Sequence, residues 1–283
     1  MQVLSKRALL IAGPTASGKS ARAMAEARAT GGIIINADAL QVYRELRVLS
    51  ARPSAEEEEA APHRLYGHAS GAEPYSVARW LAHARAEIEA AWAAGRIPIV
   101  VGGTGLYFKA LEQGLAAVPP VPAEVREHWR SFTGDLHAEL AKREPGTRLD
   151  PNDRQRLIRA LEVFDATGQP LRHWQARAQS AAALAGAHVE RRLVTLPREE
   201  LYARAEARFD RMLAEGALDE VRPLLTLDPE LPVMKAIGVP ELAAYLRGEM
   251  SLDEATARAK TATRNYIKRQ LTWWRGQGRH WQE

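Results

Sequence analysis

The chain has 283 residues, which is enough for one large domain with an insertion or for two domains that each bury a core. Hydrophobic residues make up 46% and charged residues 26% of the sequence, no apolar run approaches the length of a membrane span, and cysteine is absent. These features exclude a membrane protein, a disulfide-bonded scaffold and a thiolate metal site, and we expect a cytoplasmic protein. The net charge of +4 permits an anionic partner without requiring one.

The first pattern along the chain is an apolar strand, Leu9–Ala12, that runs into the motif G-x-x-x-x-G-K-S and then into a helix-forming run. In this context the glycines let the backbone turn tightly and aim successive amides at phosphate oxygens. Lys19 adds a mobile positive charge, and the hydroxyl of Ser20 is suited to join the coordination shell of Mg²⁺. Most loops of this kind bind nucleoside triphosphates, so binding of ATP is the first expectation. The predicted phosphate cradle comprises Gly13, Pro14, Thr15, Ala16, Ser17, Gly18, Lys19 and Ser20.

Two later segments predict further strands of a parallel sheet. A β-branched strand at Ile33–Ile35 delivers Asp38 at its carboxyl end, and a strand at Ile97–Val101 runs into the glycine-rich turn Gly102–Gly105. Ligands of open parallel sheets bind at the edge where the carboxyl ends of the strands meet, so Asp38 and this turn are expected beside the cradle. Helices are predicted over Ala21–Ala29, after a capping box at Ser54–Glu57, and over Ser76–Ala94.

The second half of the sequence is mostly helical in pattern. A proline-rich linker is predicted at Ala117–Pro122, only helical periodicity follows over Glu124–Gln179, and a strand is predicted at Arg192–Leu196. The predicted class is α/β, a P-loop parallel sheet core flanked by helices with an all-helical insertion. Its predicted parts are residues 1–116, the insertion 117–188, and residues 189–283, which complete the core. The remaining predicted helices are Arg198–Ala214, Leu218–Leu225, Val239–Arg247 and Leu252–Trp274.

Asp38 and Thr104 are the first candidates for chemistry. A carboxylate beside a phosphate cradle either binds magnesium or acts as a general base, and the competing interpretation is a strand-end aspartate that caps the next turn. The hydroxyl of Thr104 suits a hydrogen bond to a phosphate or a leaving group, and it equally suits a cap for the following helix. The sequence alone leaves both pairs of alternatives open.

Two groups of basic residues also recur at helical spacing. Arg204, Arg208 and Arg211 share one helix face, and such a row is more often solvated than functional. The carboxyl-terminal helix suggests a nucleic-acid face, although an amphipathic helix with buried tryptophans has the same pattern. Its basic and aromatic residues are Lys260, Arg264, Tyr266, Lys268, Arg269, Trp273, Trp274 and Arg275.

Taken together, these strings resemble one family, the tRNA dimethylallyltransferases, also called isopentenyl-tRNA transferases. The family pattern G-P-T-A-x-G-K-[ST] is matched at Gly13–Ser20, D-S-x-Q-x-Y at Asp38–Tyr43, and V-G-G-T-G-L-Y at Val101–Tyr107. The resemblance spans nearly the whole chain in order. Further matches are Pro62–His63, Tyr75–Val77, N-D-x-Q-R-x-x-R-A-L-E at Asn152–Glu162, Ala236–Glu241, and T-R-x-x-x-K-R-Q-x-T-W at Thr263–Trp273.

The resemblance implies transfer of a dimethylallyl group from dimethylallyl diphosphate to the exocyclic amine of the adenosine 3′ of the tRNA anticodon. It implies that Asp38 accepts a hydrogen bond or proton from that amine, while Thr104, Arg208 and Lys19 stabilise the departing diphosphate with Mg²⁺ bridged to Ser20. We expect a monomer that binds no membrane, whose insertion grips the anticodon stem and whose target base is flipped out of its stack. The implied tRNA contacts are Asp38, Ala39, Leu40, Gln41, Thr104, Arg126, Gln155, Arg156, Leu157, Ile158, Arg159, Lys235, Ala236, Ile237, Gly238, Val239, Pro240, Arg264 and Lys268.

Two positions depart from the family pattern. Ala39 stands where serine is usual, so a hydroxyl beside Asp38 is missing or supplied elsewhere. Val239 and Pro240 replace a tyrosine and usually a basic residue, which puts a tRNA contact at that turn in doubt. Without the resemblance, a small-molecule kinase or ATPase and a nucleic-acid-binding module with a regulatory nucleotide remain the competing functions.

Overall fold

The computed structural model describes residues 6–177, 182–278 and 280–281. Its described strands form one parallel sheet in the spatial order β3-β2-β4-β1-β5. This architecture confirms the predicted α/β class with a parallel sheet core. The strands are Arg7–Ala12 (β1), Ile33–Asn36 (β2), His63–Arg64 (β3), Pro98–Gly102 (β4) and His188–Leu193 (β5).

Helices account for most of the remaining described chain. Two 3₁₀ turns, at Arg222–Thr226 and Pro232–Lys235, accompany them. The helices are Lys19–Thr30 (α1), Ala55–Ala60 (α2), Val77–Ala93 (α3), Gly105–Gln113 (α4), Ala123–Ser131 (α5), Leu136–Arg143 (α6), Arg154–Thr167 (α7), Leu171–Ala176 (α8), Arg198–Ala214 (α9), Ala217–Val221 (α10), Val239–Leu246 (α11) and Leu252–Gln277 (α12).

Helix ends follow the capping signals in the sequence. The hydroxyl of Ser54 accepts the N–H of Glu57 and the Glu57 carboxylate accepts the N–H of Ser54, so the predicted capping box is formed at α2. Ser76 caps α3 by accepting the N–H of Arg79 at 3.2 Å. Gly31 ends α1 with a φ of 66°, a left-handed conformation that glycine adopts without steric cost.

The three central strands of the sheet carry fully buried residues. Leu10, Ile35 and Val100 of β1, β2 and β4 are fully buried, as expected for parallel strands covered on both faces. Ala12 is paired with Gly102, and Asn36 with Val101. The chain therefore leaves these three strands at one edge of the sheet, which brings the cradle, Asp38 and the Gly102–Gly105 turn to the same edge.

Three local predictions were wrong or incomplete. The last strand spans His188–Leu193 rather than the predicted Arg192–Leu196, because it is an edge strand whose half-buried positions hold ion-paired Glu190 and Arg191 instead of apolar residues. The helix predicted at Leu218–Leu225 is divided into α10 and a 3₁₀ turn, since Pro223 cannot donate in a continuing α-helix. The two-residue strand β3 was too short to be recognised from periodicity.

The backbone contacts divide the chain into two compact units. One comprises Met1–Glu112 and Ala183–Glu283 and contains the sheet, and the other, Gln113–Ala182, is the helical unit, made of α5 to α8. The helical unit has its own core of Trp129, Leu140 and Leu161, and the indole N–H of Trp129 donates to Asp165 at 3.0 Å. Among the described helices of both units, none is long and apolar enough to cross a membrane.

Candidate active site

The cradle between β1 and α1 has the backbone of an anion-binding loop. Ala16 and Gly18 have φ values of 66° and 88°, and α1 begins without a side-chain cap, so its first amides face outward unpaired by side chains. A Cβ on Gly13 would lie 2.2 Å from the carbonyl oxygen of Val194, so only glycine fits there. The hydroxyl of Ser17 is buried and has no hydrogen-bond partner among the described residues. The loop therefore carries unpaired donors that a phosphate would satisfy.

Lys19 lies near the end of the cradle in sequence, and its side chain reaches back to the loop. Its Nζ donates to the carbonyl oxygen of Pro14 at 3.2 Å. Burial lowers the pKa of Lys19 from 10.5 to about 8; the negative charge of Asp38 opposes this change, and the positive charge of Arg208 adds to it. The three charged groups thus interact across one site before any ligand is present.

Asp38 is held by a buried neighbour at the end of β2. The side chain of Asn36 accepts the N–H of Asp38 at 2.8 Å and donates to the carbonyl oxygens of Asp38 and Leu65 at 2.9 Å and 3.1 Å. One carboxylate oxygen of Asp38 accepts the N–H of Leu40 at 3.0 Å, as in an Asx turn. One oxygen of Asp38 therefore caps the next turn, and the other has no hydrogen bond within the described residues.

Thr104 braces the turn that carries Asp38. Its hydroxyl oxygen accepts the N–H of Ala39 at 2.9 Å, and its own N–H donates to the carbonyl oxygen of Ala37 at 3.2 Å. The Thr104 side chain also hydrogen-bonds the hydroxyl of Tyr266, which burial and the charge of Asp38 keep protonated by raising its pKa. A hydroxyl pair thus lies beside Ala39, the position where serine is usual.

A cavity joins these groups to α9 and α12. Arg208 lines it and is half-buried, whereas Arg204 is exposed and pairs with Glu200 at 2.6 Å, and Arg211 is exposed. Burial lowers the pKa of Arg208, and the charge of Asp38 opposes this change. Helical spacing alone left the three arginines equivalent, and of the three only Arg208, the one that the resemblance implies, lines this cavity. The lining residues are Thr15, Asp38, Leu40, Leu49, Ser50, Ala205, Arg208, Phe209, Met212, Ile237, Thr263 and Tyr266.

The sequence assigned no role to Asn36 and Gln270, and it placed Tyr266 only in the suggested nucleic-acid face, whereas all three side chains contact this site. Gln270 is buried, and its amide contacts both the cradle and the Gly102–Gly105 turn. Its signal was its place in the carboxyl-terminal motif, four residues after Tyr266 and seven after Thr263, on one face of α12. The sequence indicates Asn36 more weakly, only as a polar residue that ends a buried strand.

The basic carboxyl-terminal helix, α12, has both buried apolar residues and exposed basic residues. Ile267 and Trp274 are buried, as in an amphipathic helix. Arg264 is ion-paired with Glu206 of α9, and Lys260 pairs with Asp210 at 2.6 Å. Lys268, Arg269 and Arg275 are exposed and have no ion pair within the described residues. A positive surface of modest size therefore remains on this helix.

The residues predicted to contact tRNA fall into groups with different exposure. The side chain of Leu157 is buried in the core of the helical unit, and Ala236 and Val239 are buried in the sheet-containing unit, so tRNA contacts at these positions stay a prediction. Gln41 donates from its side-chain amide to the carbonyl oxygens of Ser50 and Ala51. The exposed members of the set are Arg126, Gln155, Arg156, Lys235, Pro240 and Lys268.

Family models and curated relatives that match this chain name the same kind of transferase. A family model described as IPP transferase matches residues 41–277, and one described as Isopentenyl transferase matches residues 6–70. The tRNA dimethylallyltransferase of Methylobacterium nodulans is 55% identical over 98% of this chain and 95% of its own length, and that of Azorhizobium caulinodans is 53% identical over 99% and 92%.

Solved structures show the same likeness. The full-length tRNA isopentenylpyrophosphate transferase from Bacillus halodurans superposes with a TM-score of 0.69 at 33% identity, over 96% of this chain and 87% of that one. A eukaryotic dimethylallyltransferase acting on tRNA superposes with a TM-score of 0.80 at 29% identity, over 95% of this chain and 70% of that one.

Proposed function

The chain belongs to the IPP transferase family, and from this premise we propose that it transfers a dimethylallyl group from dimethylallyl diphosphate to the exocyclic amine of the adenosine 3′ of the anticodon in tRNA. The observation that carries the proposal is one cavity in which the carboxylate of Asp38 lies within electrostatic range of Lys19 and Arg208, beside a cradle of unpaired donors. A carboxylate can accept the proton of an attacking amine, and the cations can stabilise a departing anion.

The proposed step is a displacement at the first carbon of the prenyl group. The amine nitrogen forms a bond to this carbon while the bond from the carbon to the diphosphate oxygen breaks, and the electron pair of that bond leaves with diphosphate. A carboxylate oxygen of Asp38 takes the proton that the amine loses. Because negative charge grows on the leaving group, the cations at Lys19 and Arg208 stabilise the transition state more than the ground state.

The donors of the cradle provide the rest of the diphosphate site. The unpartnered hydroxyl of Ser17 and the first amides of α1 are available to phosphate oxygens. The carbonyl oxygen of Pro14 accepts from Lys19 and holds that side chain over the loop. Thr104 keeps the Asp38 turn in place through its bonds to Ala39 and Ala37.

Mg²⁺ fits this donor set. The hydroxyl of Ser20 is exposed at the first turn of α1, and within residues 6–177, 182–278 and 280–281 no three or more His, Asp or Glu side chains converge as a separate metal cage. Mg²⁺ commonly keeps waters and binds through one or two protein oxygens together with substrate phosphates. When bound to Ser20 and the diphosphate, it would supply positive charge to the leaving group.

The RNA substrate is proposed to meet both compact units. The exposed arginines of α5 and α7, Arg126 and Arg156, suit phosphate contacts along the anticodon stem, and Lys268 of α12 suits a contact near the target base. The adenosine is proposed to be flipped out of its stack to reach Asp38. We propose that the protein acts on tRNA in the cytoplasm as a monomer.

The test compares two labelled donors. The protein is incubated with Mg²⁺ and unmodified tRNA whose anticodon loop has adjacent adenosines, with either labelled dimethylallyl diphosphate or labelled ATP. We expect label from the prenyl donor on the tRNA and one diphosphate released for each group transferred. Transfer of phosphate from ATP would support a small-molecule kinase or ATPase instead.

Replacing Asp38 tests its role as the base. The Asp38→Asn variant keeps the shape of the side chain but accepts a proton poorly, so kcat should fall on the order of 10²-fold or more while the Kd for tRNA changes little. Asp228→Asn, an exposed residue in a loop, is the matched control and should retain full activity. A loss of tRNA affinity with unchanged kcat would assign Asp38 to binding.

A further inference from the structure

Three turns leave one edge of the sheet: the cradle after β1, the Asp38 turn after β2 and the Gly102–Gly105 turn after β4. Hydrogen bonds join the last two turns to each other. After β2 and β4 stop, the N–H of Thr104 donates to Ala37 and the N–H of Ala39 donates to the hydroxyl oxygen of Thr104. The Asp38 turn and the Gly102–Gly105 turn therefore remain one piece. The cradle after β1 has no main-chain hydrogen bond to either of these turns within the described residues.

Gln270 of α12 fills this gap from outside the sheet. Its Oε1 accepts the N–H of Thr15 in the cradle at 2.9 Å, and its Nε2 donates to the carbonyl oxygen of Gly103 at 3.0 Å. The Gln270 side chain is buried, and its bond to Gly103 is buried while its bond to Thr15 is partly buried. The oxygen of this amide thus holds the cradle, and its nitrogen holds the Gly102–Gly105 turn.

Gly103 lies close to Gln270, to the cradle and to Asp38. A Cβ at this residue would lie 2.4 Å from Nε2 of Gln270, 3.3 Å from the carbonyl oxygen of Gly13 and 3.4 Å from Oδ2 of Asp38. The absence of a side chain at Gly103 is therefore what lets Gln270 enter. A change in the Gln270 contact would be transmitted directly to the spacing between the cradle and Asp38.

We propose that Gln270 is a positioning residue for prenyl transfer, which sets the separation between the diphosphate cradle and the Asp38 turn. This inference rests on the proposed function. The leaving diphosphate and the attacking amine lie on opposite sides of the reacting carbon, and each is held by a different turn. An in-line displacement needs a fixed distance between the cradle and the Asp38 turn. A shift of about 1 Å in the position of one reactant costs about 10²-fold in rate.

The proposal predicts which chemical features of the side chain matter. Gln270→Met keeps the length and helix propensity but removes the hydrogen bonds to Thr15 and Gly103, together with the one to the hydroxyl of Tyr266. Gln270→Glu keeps the acceptor for Thr15 but places an anion opposite the carbonyl oxygen of Gly103 and close to Asp38. Gln277→Met, the same substitution at an exposed position of α12, is the matched control.

The experiment measures kcat, the KM for each substrate, and the ratio of diphosphate released to prenyl transferred. We expect Gln270→Met and Gln270→Glu to lower kcat per folded molecule by about 10- to 100-fold with an unchanged KM for tRNA. The ratio should rise above one, because water replaces a misplaced amine as the acceptor. Gln277→Met should match the parent protein in each quantity.

Amide exchange of Thr15 gives a readout that is independent of turnover. The N–H of Thr15 should exchange slowly in the parent protein and faster in Gln270→Met. A folded Gln270→Met with the parent kcat and a ratio of one, or a loss that only matches its unfolded fraction, would overturn the proposal. No prenyl transfer by the parent protein, with ordinary protection of Thr15, would instead contradict the proposed function.

Discussion

At the scale of single residues, we expect the charge of Lys19 to make the binding of dimethylallyl diphosphate sensitive to pH. The pKa of Lys19 is about 8, so the cation predominates below that pH and is lost as the pH rises through it. Because kcat/KM reports the free enzyme, kcat/KM for dimethylallyl diphosphate should fall about tenfold for each pH unit above the pKa. A profile of kcat/KM between about pH 6 and pH 10 measures this.

Two variants separate Lys19 from other titrating groups. Lys19→Arg keeps its charge throughout this range, so its activity should be lower but the alkaline fall should disappear. Asp38→Asn removes the negative charge that raises the pKa of Lys19, so its donor affinity should fall at a lower pH than in the parent protein. An alkaline fall that persists unchanged in Lys19→Arg would show that another group is responsible.

At the scale of structural elements, α10 fixes the loop that follows β2. The carboxylate of Glu220 accepts three consecutive backbone N–H groups, from Arg47, Val48 and Leu49, at 2.8 Å, 2.6 Å and 3.0 Å. Leu49 and Ser50, at the end of this loop, line the cavity. A short helix that carries no cavity residue therefore controls one wall of the site.

Glu220→Gln should destabilise the fold through this loop. An amide has one acceptor oxygen instead of two and directs N–H groups at backbone donors, and hydrogen bonds to a charged group are worth about 1.5–3 kcal/mol. We expect a loss of about 2 kcal/mol in the free energy of unfolding, measured in urea, and a higher KM for tRNA. Glu215→Gln, an exposed residue at the end of α9, should be neutral in both measurements. Equal stability of the two variants would exclude this role for Glu220.

The sequence predicted those parts of the fold and candidate site that depend on neighbouring residues. The cradle, the Ser54 capping box and α9 follow from local patterns of glycine, caps and apolar spacing, so they were predicted close to their observed bounds. The bonds of Glu220 and Gln270 join positions 167 to 255 residues apart, and no local pattern encodes them. The choice of Arg208 over Arg204 likewise depends on which face of α9 meets the cavity.

At the scale of the whole molecule, the sheet-containing unit is built from both ends of the chain. β1 pairs with β5 across a sequence that includes the whole helical unit, and α12 supplies Gln270 to a loop near the start of the chain. The proposed chemical site therefore forms only after the chain returns from the helical unit. The proposed RNA contacts of that unit can consequently be changed without altering any residue that lines the cavity.

The salt dependence of tRNA binding tests this division of roles. Arg126 is exposed on α5, and a phosphate contact there releases a counterion on binding. Arg126→Gln should weaken tRNA binding and reduce the slope of log Kd against log salt concentration by about one, while kcat at saturating tRNA stays unchanged. Arg28→Gln, which removes the same charge from an exposed position of α1, is the matched control. Equal slopes for the two variants would remove Arg126 from the RNA interface, whereas a lower kcat would mean that the helical unit also aligns the target base.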